Sequence, residues 1–339
     1  MKKTLLATFC ALSLSAGAAD TPRTLDLVDP EYRAAAPAWL IHFDDPQVRA
    51  QFNERNAKRA AENSQPAQSL SAPADGDQPA VPLYLYTPKN SSGGKLPIIY
   101  FIHGGGYILG NAKMVGDALQ ALADRQQAAV VSVEYRLATA APFPADLHDA
   151  YHGLRYIYQH ATDYGLDAER VVLMGESAGG GLAARLALYT RDKGELTPEG
   201  QILIYPMLDY RTGTPESPYR DDNAGEIVWT AAANRVGWAT LRGGQSIPDS
   251  ELPYFSPAFA THLRGLPPTF ILVGSLDLFV HEDIAYASRL IEAGVPTELH
   301  VLPGLCHAFE MANPDGAQTR RYLDWRHNAI EKMHARPVH

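Results

Sequence analysis

The chain has 339 residues, 46% of them apolar and 20% charged, and a formal net charge of −9. That length can bury a large core, the composition is that of an ordinary globular protein, and the charge has the wrong sign for a nucleic-acid surface. No internal repeat is visible and no apolar run after the N-terminus is long enough to cross a bilayer, so nucleic-acid binding and stable membrane insertion are not expected.

The N-terminus has its own character. Lys2 and Lys3 precede an apolar and small-residue stretch from Leu5 to Ala19, closed by Ala16-Gly17-Ala18-Ala19-Asp20. This reads as a secretory signal peptide over 1–19, cleaved after Ala18 or Ala19, and the product is expected to be exported, periplasmic or secreted. Cys10 leaves with the peptide, so Cys306 stays alone and no intramolecular disulfide can form. The exported fold must then stand on its core without covalent staples. Neither Cys/His metal spacing nor a Walker-type loop is present, and no metal or organic cofactor is expected.

Residues 20–339 read as one domain. The stretch 20–80 is polar and rich in Ala and Pro, with a helix predicted over 46–62 and loop composition over 65–82. Alternation predicts a strand over 81–86. A buried strand over 97–103 runs into Gly104-Gly105-Gly106, and a helix over 112–126, a strand over 128–134 and a helix over 145–160 follow. The apolar run 171–174 precedes Gly175-Glu176-Ser177-Ala178-Gly179 and a helix reaching to about Lys193. Strands over 202–206, 269–274 and 297–302 and helices over 283–293 and 318–332 complete the pattern. Short apolar strands alternating with amphipathic helices predict an α/β fold, a mostly parallel twisted sheet with helices on both faces. The stretch 209–252 breaks the alternation, loop-rich at first and then helical with Trp229, Trp238 and Leu241. Together with 20–60 it is expected to form a helical cap, built from about 20–60 and 210–250, over the sheet edge where open α/β sheets bind ligands.

The chemistry centres on Ser177. A G-x-S-x-G between a strand and a helix is a nucleophile elbow, with the hydroxyl at the apex of a sharp turn. The flanking glycines let strand and helix approach closely, and the helix N-terminus favours developing negative charge. A serine nucleophile needs a base and an acid that orients the base, in the chain order Ser, Asp/Glu, His. His307 lies in the loop directly after the last predicted strand. Its rivals are less apt, because His300 sits inside that strand and His281 at a helix start. Asp277 follows the strand over 269–274, whereas Glu282 and Asp283 read as first-turn helix acids. Backbone amides of Gly104, Gly105 and Ala178 are the candidate oxyanion donors, with His103 ordering the loop. Tyr135 and Arg136 read as a buried brace near that loop, Asp146 and Asp149 as first-turn acids, and Cys306 as a small packing residue.

These pieces together resemble the hormone-sensitive-lipase-like group, the bacterial family IV carboxylesterases of the α/β-hydrolase superfamily. The resemblance rests on His103-Gly104-Gly105-Gly106, Glu134-Tyr135-Arg136-Leu137-Ala138 with Pro142-Phe143-Pro144-Ala145, and 175–180. It extends through Ser256-Pro257, Gly265-Leu266-Pro267-Pro268, Asp277 with Glu282-Asp283, Ala293-Gly294-Val295-Pro296 and Pro303-Gly304 with His307, over about 80–311. Two positions depart from the pattern: Glu176 stands where the group often has Asp, and Ala308 where it usually has Gly. The resemblance implies an esterase working through a Ser177–His307–Asp277 triad on a small-molecule ester, first of all a short-chain one, and is compatible with a homodimer. The same triad would serve an amidase or peptidase, and the same fold without catalysis would serve a small-molecule-binding protein.

Overall fold

The computed structural model describes residues 21–91 and 93–335, so the signal-peptide reading of 1–19 lies outside the described residues. Eight strands form one sheet: β1 (Gln68–Ala72), β2 (Val81–Tyr86), β3 (Leu96–Ile102), β4 (Ala129–Val133), β5 (Leu166–Glu176), β6 (Gly200–Ile204), β7 (Thr269–Gly274) and β8 (Thr297–Leu302). Their spatial order is β1-β2-β4-β3-β5-β6-β7-β8. The pairings β1–β2 and β2–β4 are antiparallel, and all others are parallel. Nine α-helices are described: α1 (Pro46–Glu62), α2 (Gly116–Gln126), α3 (Ala145–His160), α4 (Ala178–Lys193), α5 (Ala231–Arg242), α6 (Leu252–Phe255), α7 (Val280–Glu292), α8 (Phe309–Ala312) and α9 (Ala317–His334).

The helices cover both faces, as strand alternation requires. Tyr100 of β3 points one way and donates its hydroxyl to Ala150 O of α3 at 2.9 Å. Its neighbour Phe101 points the other way, into a cavity bordered by Leu119 of α2 and Leu323 of α9. The central strands β4, β6 and β7 are buried along their whole length, which is why they read as unbroken apolar runs. Parallel strands end on one common edge, and Ile102, Glu176, Ile204 and Gly274 bring their loops together there.

Several elements differ from the sequence reading. β1 lies in a stretch of loop composition; it is a polar, mostly exposed edge strand whose order comes from pairing with β2. β5 begins five residues earlier than its apolar run, at Leu166, through pairing with Leu96 across a register shift. The first part of 112–126 is a turn, and α2 starts at Gly116. α7 starts three residues early, at Val280, and the short helices α6 and α8 have too few residues to show a period.

The buried charges are also corrected. Glu282 and Asp283 do lie in the first turn of α7, but both are fully buried. Glu282 accepts from Leu208 N at 2.6 Å and from the Thr212 hydroxyl, tying the chain after β6 to α7. Asp149 lies beyond the first turn of α3 and accepts three bonds of 2.8 Å from Arg136, one from its amide and two from its guanidinium. Asp146 is buried against Arg185 of α4, whose side chain is fully enclosed and lies 4.8 Å from the Tyr107 ring.

A buried ion pair stabilises little by itself, yet losing one partner leaves a lone charge in the core. Arg185→Ala is expected to cost about 3–5 kcal/mol in urea unfolding. The double change Arg185→Met with Asp146→Leu is expected to recover most of that loss. An Arg185→Ala variant as stable as the parent would show that the core does not depend on this pair.

Candidate active site

The site begins with the turn between β5 and α4. A Cβ on Gly179 would lie 2.1 Å from Ile102 O and 2.5 Å from His103 O, and one on Gly175 would lie 2.1 Å from Gly179 O. Glycine at both positions is therefore what lets the end of β3, the end of β5 and the start of α4 touch. Ser177 sits at the apex with φ 57° and ψ −123°, a strained conformation for a residue with a side chain. Its amide is held by Ile204 O at 2.9 Å and its carbonyl accepts from Met207 N at 3.0 Å, so the neighbouring strand fixes the turn.

Asp277 and His307 arrive from the next two loops. Asp277 is fully buried after β7, and its Oδ2 lies 2.7 Å from His307 Nδ1. His307 follows β8, and its Nε2 lies 2.9 Å from Ser177 Oγ. The imidazole is held between two rings, Tyr205 at 4.6 Å and Phe279 at 5.3 Å, both edge-on. Ala308 next to it has φ 54°, the left-handed region that explains why glycine suits this position. The rival histidines go elsewhere: His281 pairs with Asp221 at 2.9 Å, and His300 stacks on Trp325 at 3.9 Å.

The glycine loop after β3 faces the serine. A Cβ on Gly104 would lie 2.8 Å from Glu176 O, and Gly105 has φ 124°. No backbone hydrogen bond is donated by the amides of Gly104, Gly105 or Ala178 among the described residues. His103 orders this loop from beneath, with Nδ1 2.8 Å from Gly104 O. Tyr135 stacks on the His103 ring at 4.4 Å and donates to His103 O at 2.9 Å, acting as the brace expected from the sequence. Burial pushes the His103 imidazole down to about 4, so it is neutral. Cys306 is buried, and burial pushes its thiol up to about 12, which leaves it unreactive.

A cavity of about 130 Å³ lies over Ser177, His307 and the glycine loop. Trp39, Phe43 and Phe52 line it from the N-terminal segment, and Val228 and Trp229 from the segment before α5. The two segments are joined directly, with Val228 N donating to Trp39 O at 2.9 Å. The first is anchored farther back by Asp29 N on Gly304 O at 2.9 Å and by Tyr32 against Thr319 at 2.9 Å. Sequence reasoning missed Trp39, Tyr205, Phe279 and Glu310 as parts of this site. No local pattern marks them, because their place in the site is set by packing between elements far apart in the chain.

A sequence family described as alpha/beta hydrolase fold matches residues 99–311. The esterase LipI of Mycobacterium tuberculosis is 30% identical over 69% of this chain and 72% of its own. The ethyl acetate hydrolase of Pseudomonas putida is 29% identical over 86% of this chain and 91% of its own. Among solved structures, a bacterial heroin esterase superposes with a TM-score of 0.82 at 35% identity, covering 92% of this chain and all of that one. The chain belongs to the hormone-sensitive-lipase-like carboxylesterases of the α/β-hydrolase superfamily. Within this esterase no helix among the described residues is long and apolar enough to cross a membrane, and no group of residues there has the make-up of a metal site.

Glu176, beside Ser177, carries an electrostatic signature of its own. Burial, and then the nearby Glu310, push its carboxyl up to about 7, against the partial opposition of Arg326 and His307. An unfolded glutamate titrates near about 4.3, so between these values the native esterase holds more protons than the unfolded chain. Stability contributed at this site is therefore lost as pH rises from about 4.3 through about 7. Glu176→Gln is expected to flatten that fall, its advantage in urea midpoint growing from about pH 5 to about pH 8. An advantage that stays constant or shrinks with pH would refute this assignment.

Proposed function

We propose that the esterase opens short-chain carboxylic esters through an acyl-enzyme on Ser177. The observation that carries this reading is the continuous chain from Ser177 Oγ to His307 Nε2 at 2.9 Å and from His307 Nδ1 to Asp277 at 2.7 Å, set on the floor of a cavity. His307 donates Nδ1–H to Asp277, which leaves Nε2 free to accept the serine proton as Oγ attacks the ester carbonyl. Asp277 holds the tautomer and stabilises the imidazolium. The amides of Gly104, Gly105 and Ala178 receive the oxyanion, at a helix N-terminus already aligned for negative charge. His307 then protonates the leaving alcohol, and water repeats the sequence to release the acid. No metal or organic cofactor enters this scheme.

The small cavity under Trp39, Phe43 and Trp229 supports a short acyl group, and on this reading the two segments that line it act as the cap. The printed name of the Pseudomonas putida relative, ethyl acetate hydrolase, supports the same preference. The lysine-led, apolar N-terminus supports an exported enzyme.

A series of p-nitrophenyl esters from acetyl to dodecanoyl tests the reading. Turnover is expected to peak among the shortest acyl groups and to fall beyond them. Ser177→Ala is expected to lower turnover by about 10⁵–10⁶ and Asp277→Asn by about 10⁴, with circular dichroism unchanged. A phosphonate inhibitor should be found on Ser177 by mass spectrometry. Hydrolysis that persists in Ser177→Ala, or an adduct on another residue, would overturn the assignment.

A further inference from the structure

One wall of the cavity over Ser177 is a face of α1. Phe52, Asn56 and Arg59 stand at helical spacing along it, and all three border the cavity. Within α1 only Asn56 and Ala60 are buried, so an amide occupies a position where the amphipathic pattern calls for an apolar side chain. Asn56 is 4% exposed, and its Nδ2 is buried with no hydrogen-bond partner among the described residues. An amide there is costly, because its water is lost and no acceptor of the protein replaces it. Leucine would fill nearly the same volume without that cost.

The helix is also held so that it cannot turn the amide away. Asn53 Oδ1 accepts from Gly110 N at 3.2 Å, and Asn63 Nδ2 donates to Met114 O at 2.8 Å. Phe52, one turn before Asn56, packs edge-on against Phe43 at 5.0 Å. Both polar ties run to the segment that continues from the glycine triplet, which places α1 on the side of Ser177 where that triplet lies. The neighbouring walls are the apolar side chains of Phe43, Val115 and Val228, which carry no acceptor. A fixed donor in an apolar wall is how a ligand pocket selects one polar atom of its ligand. The atom complementary to Nδ2–H is an acceptor oxygen.

We propose that Asn56 is a specificity residue that donates Nδ2–H to a second oxygen on the acyl group. The preferred substrates are then esters of short alkoxy-, hydroxy- or oxo-acids. The proposal rests on the reading of this cavity as the acyl site of an esterase, and narrows its substrate class.

The test uses two pairs of p-nitrophenyl esters in which an ether oxygen replaces one methylene. Methoxyacetate is set against butanoate, and 3-methoxypropanoate against pentanoate. Each kcat/KM is divided by the ester's own hydroxide-catalysed rate constant, which allows for the inductive effect of the oxygen. In the unaltered enzyme the oxygen-to-methylene ratio is expected to differ between the pairs by about threefold or more, because a fixed donor reaches one position and not the other. The larger ratio is expected to fall by about three- to tenfold in Asn56→Leu. That variant is also expected to unfold at no lower urea concentration than the parent, since the amide has no partner in the folded chain to lose. Equal ratios in the two pairs overturn the subsite without any variant having to fold. A ratio unmoved by Asn56→Leu, or a lowered urea midpoint, overturns it as well, while hydrolysis of butanoate and pentanoate leaves the esterase reading standing. No hydrolysis of any of the four esters overturns both.

Discussion

The structure depends on one steric constraint, the contact between the β5–α4 turn and the end of β3. Gly175 and Gly179 let backbone meet backbone at distances that a single methyl group would forbid. From that contact follow the strained dihedrals of Ser177, the placement of its hydroxyl at the floor of the cavity and the position of the α4 N-terminus beside the glycine loop. The neighbouring strand locks the turn through Ile204 and Met207, so the strain is held by the sheet and not by the turn itself. His103 and Tyr135 do the same service from below for the loop that faces the serine.

Around this steric centre the charges are arranged in two ways. Asp277 is buried with a hydrogen-bonding partner in His307, and Asp146 with one in Arg185, so each negative charge is met. Glu282 is satisfied by a backbone amide and a hydroxyl, and burial holds its carboxyl well above the usual range. Glu176 and Glu310 are different, because they border cavities and one oxygen of Glu310 has no hydrogen-bond partner among the described residues.

The helix and strand pattern was legible wherever burial imposes a period. α1, α3, β2, β7 and β8 begin and end where periodicity places them. β1 was not legible, because a polar edge strand is ordered by the neighbour that pairs with it and carries no apolar signature. The depth of Glu282 and Asp283 was hidden as well. A first-turn acid has the same local sequence whether its helix end meets water or the core.

The sequence by itself determined which residues make up the proposed catalytic centre. A glycine-flanked serine between strand and helix, a glycine triplet after a strand, and an aspartate and a histidine each placed after a later strand are local patterns. Parallel strands carry such loops to one edge whatever the rest of the chain does. Only the tertiary structure decided what surrounds that centre. Trp39 comes from one segment, Trp229 from another, Glu310 from a short helix and Arg326 from the last one. Their meeting depends on packing across long sequence separations, for which no spacing along the chain is diagnostic. The proposed nucleophile is thus written in five consecutive residues, while the shape and charge of the pocket around it exist only once the chain has folded.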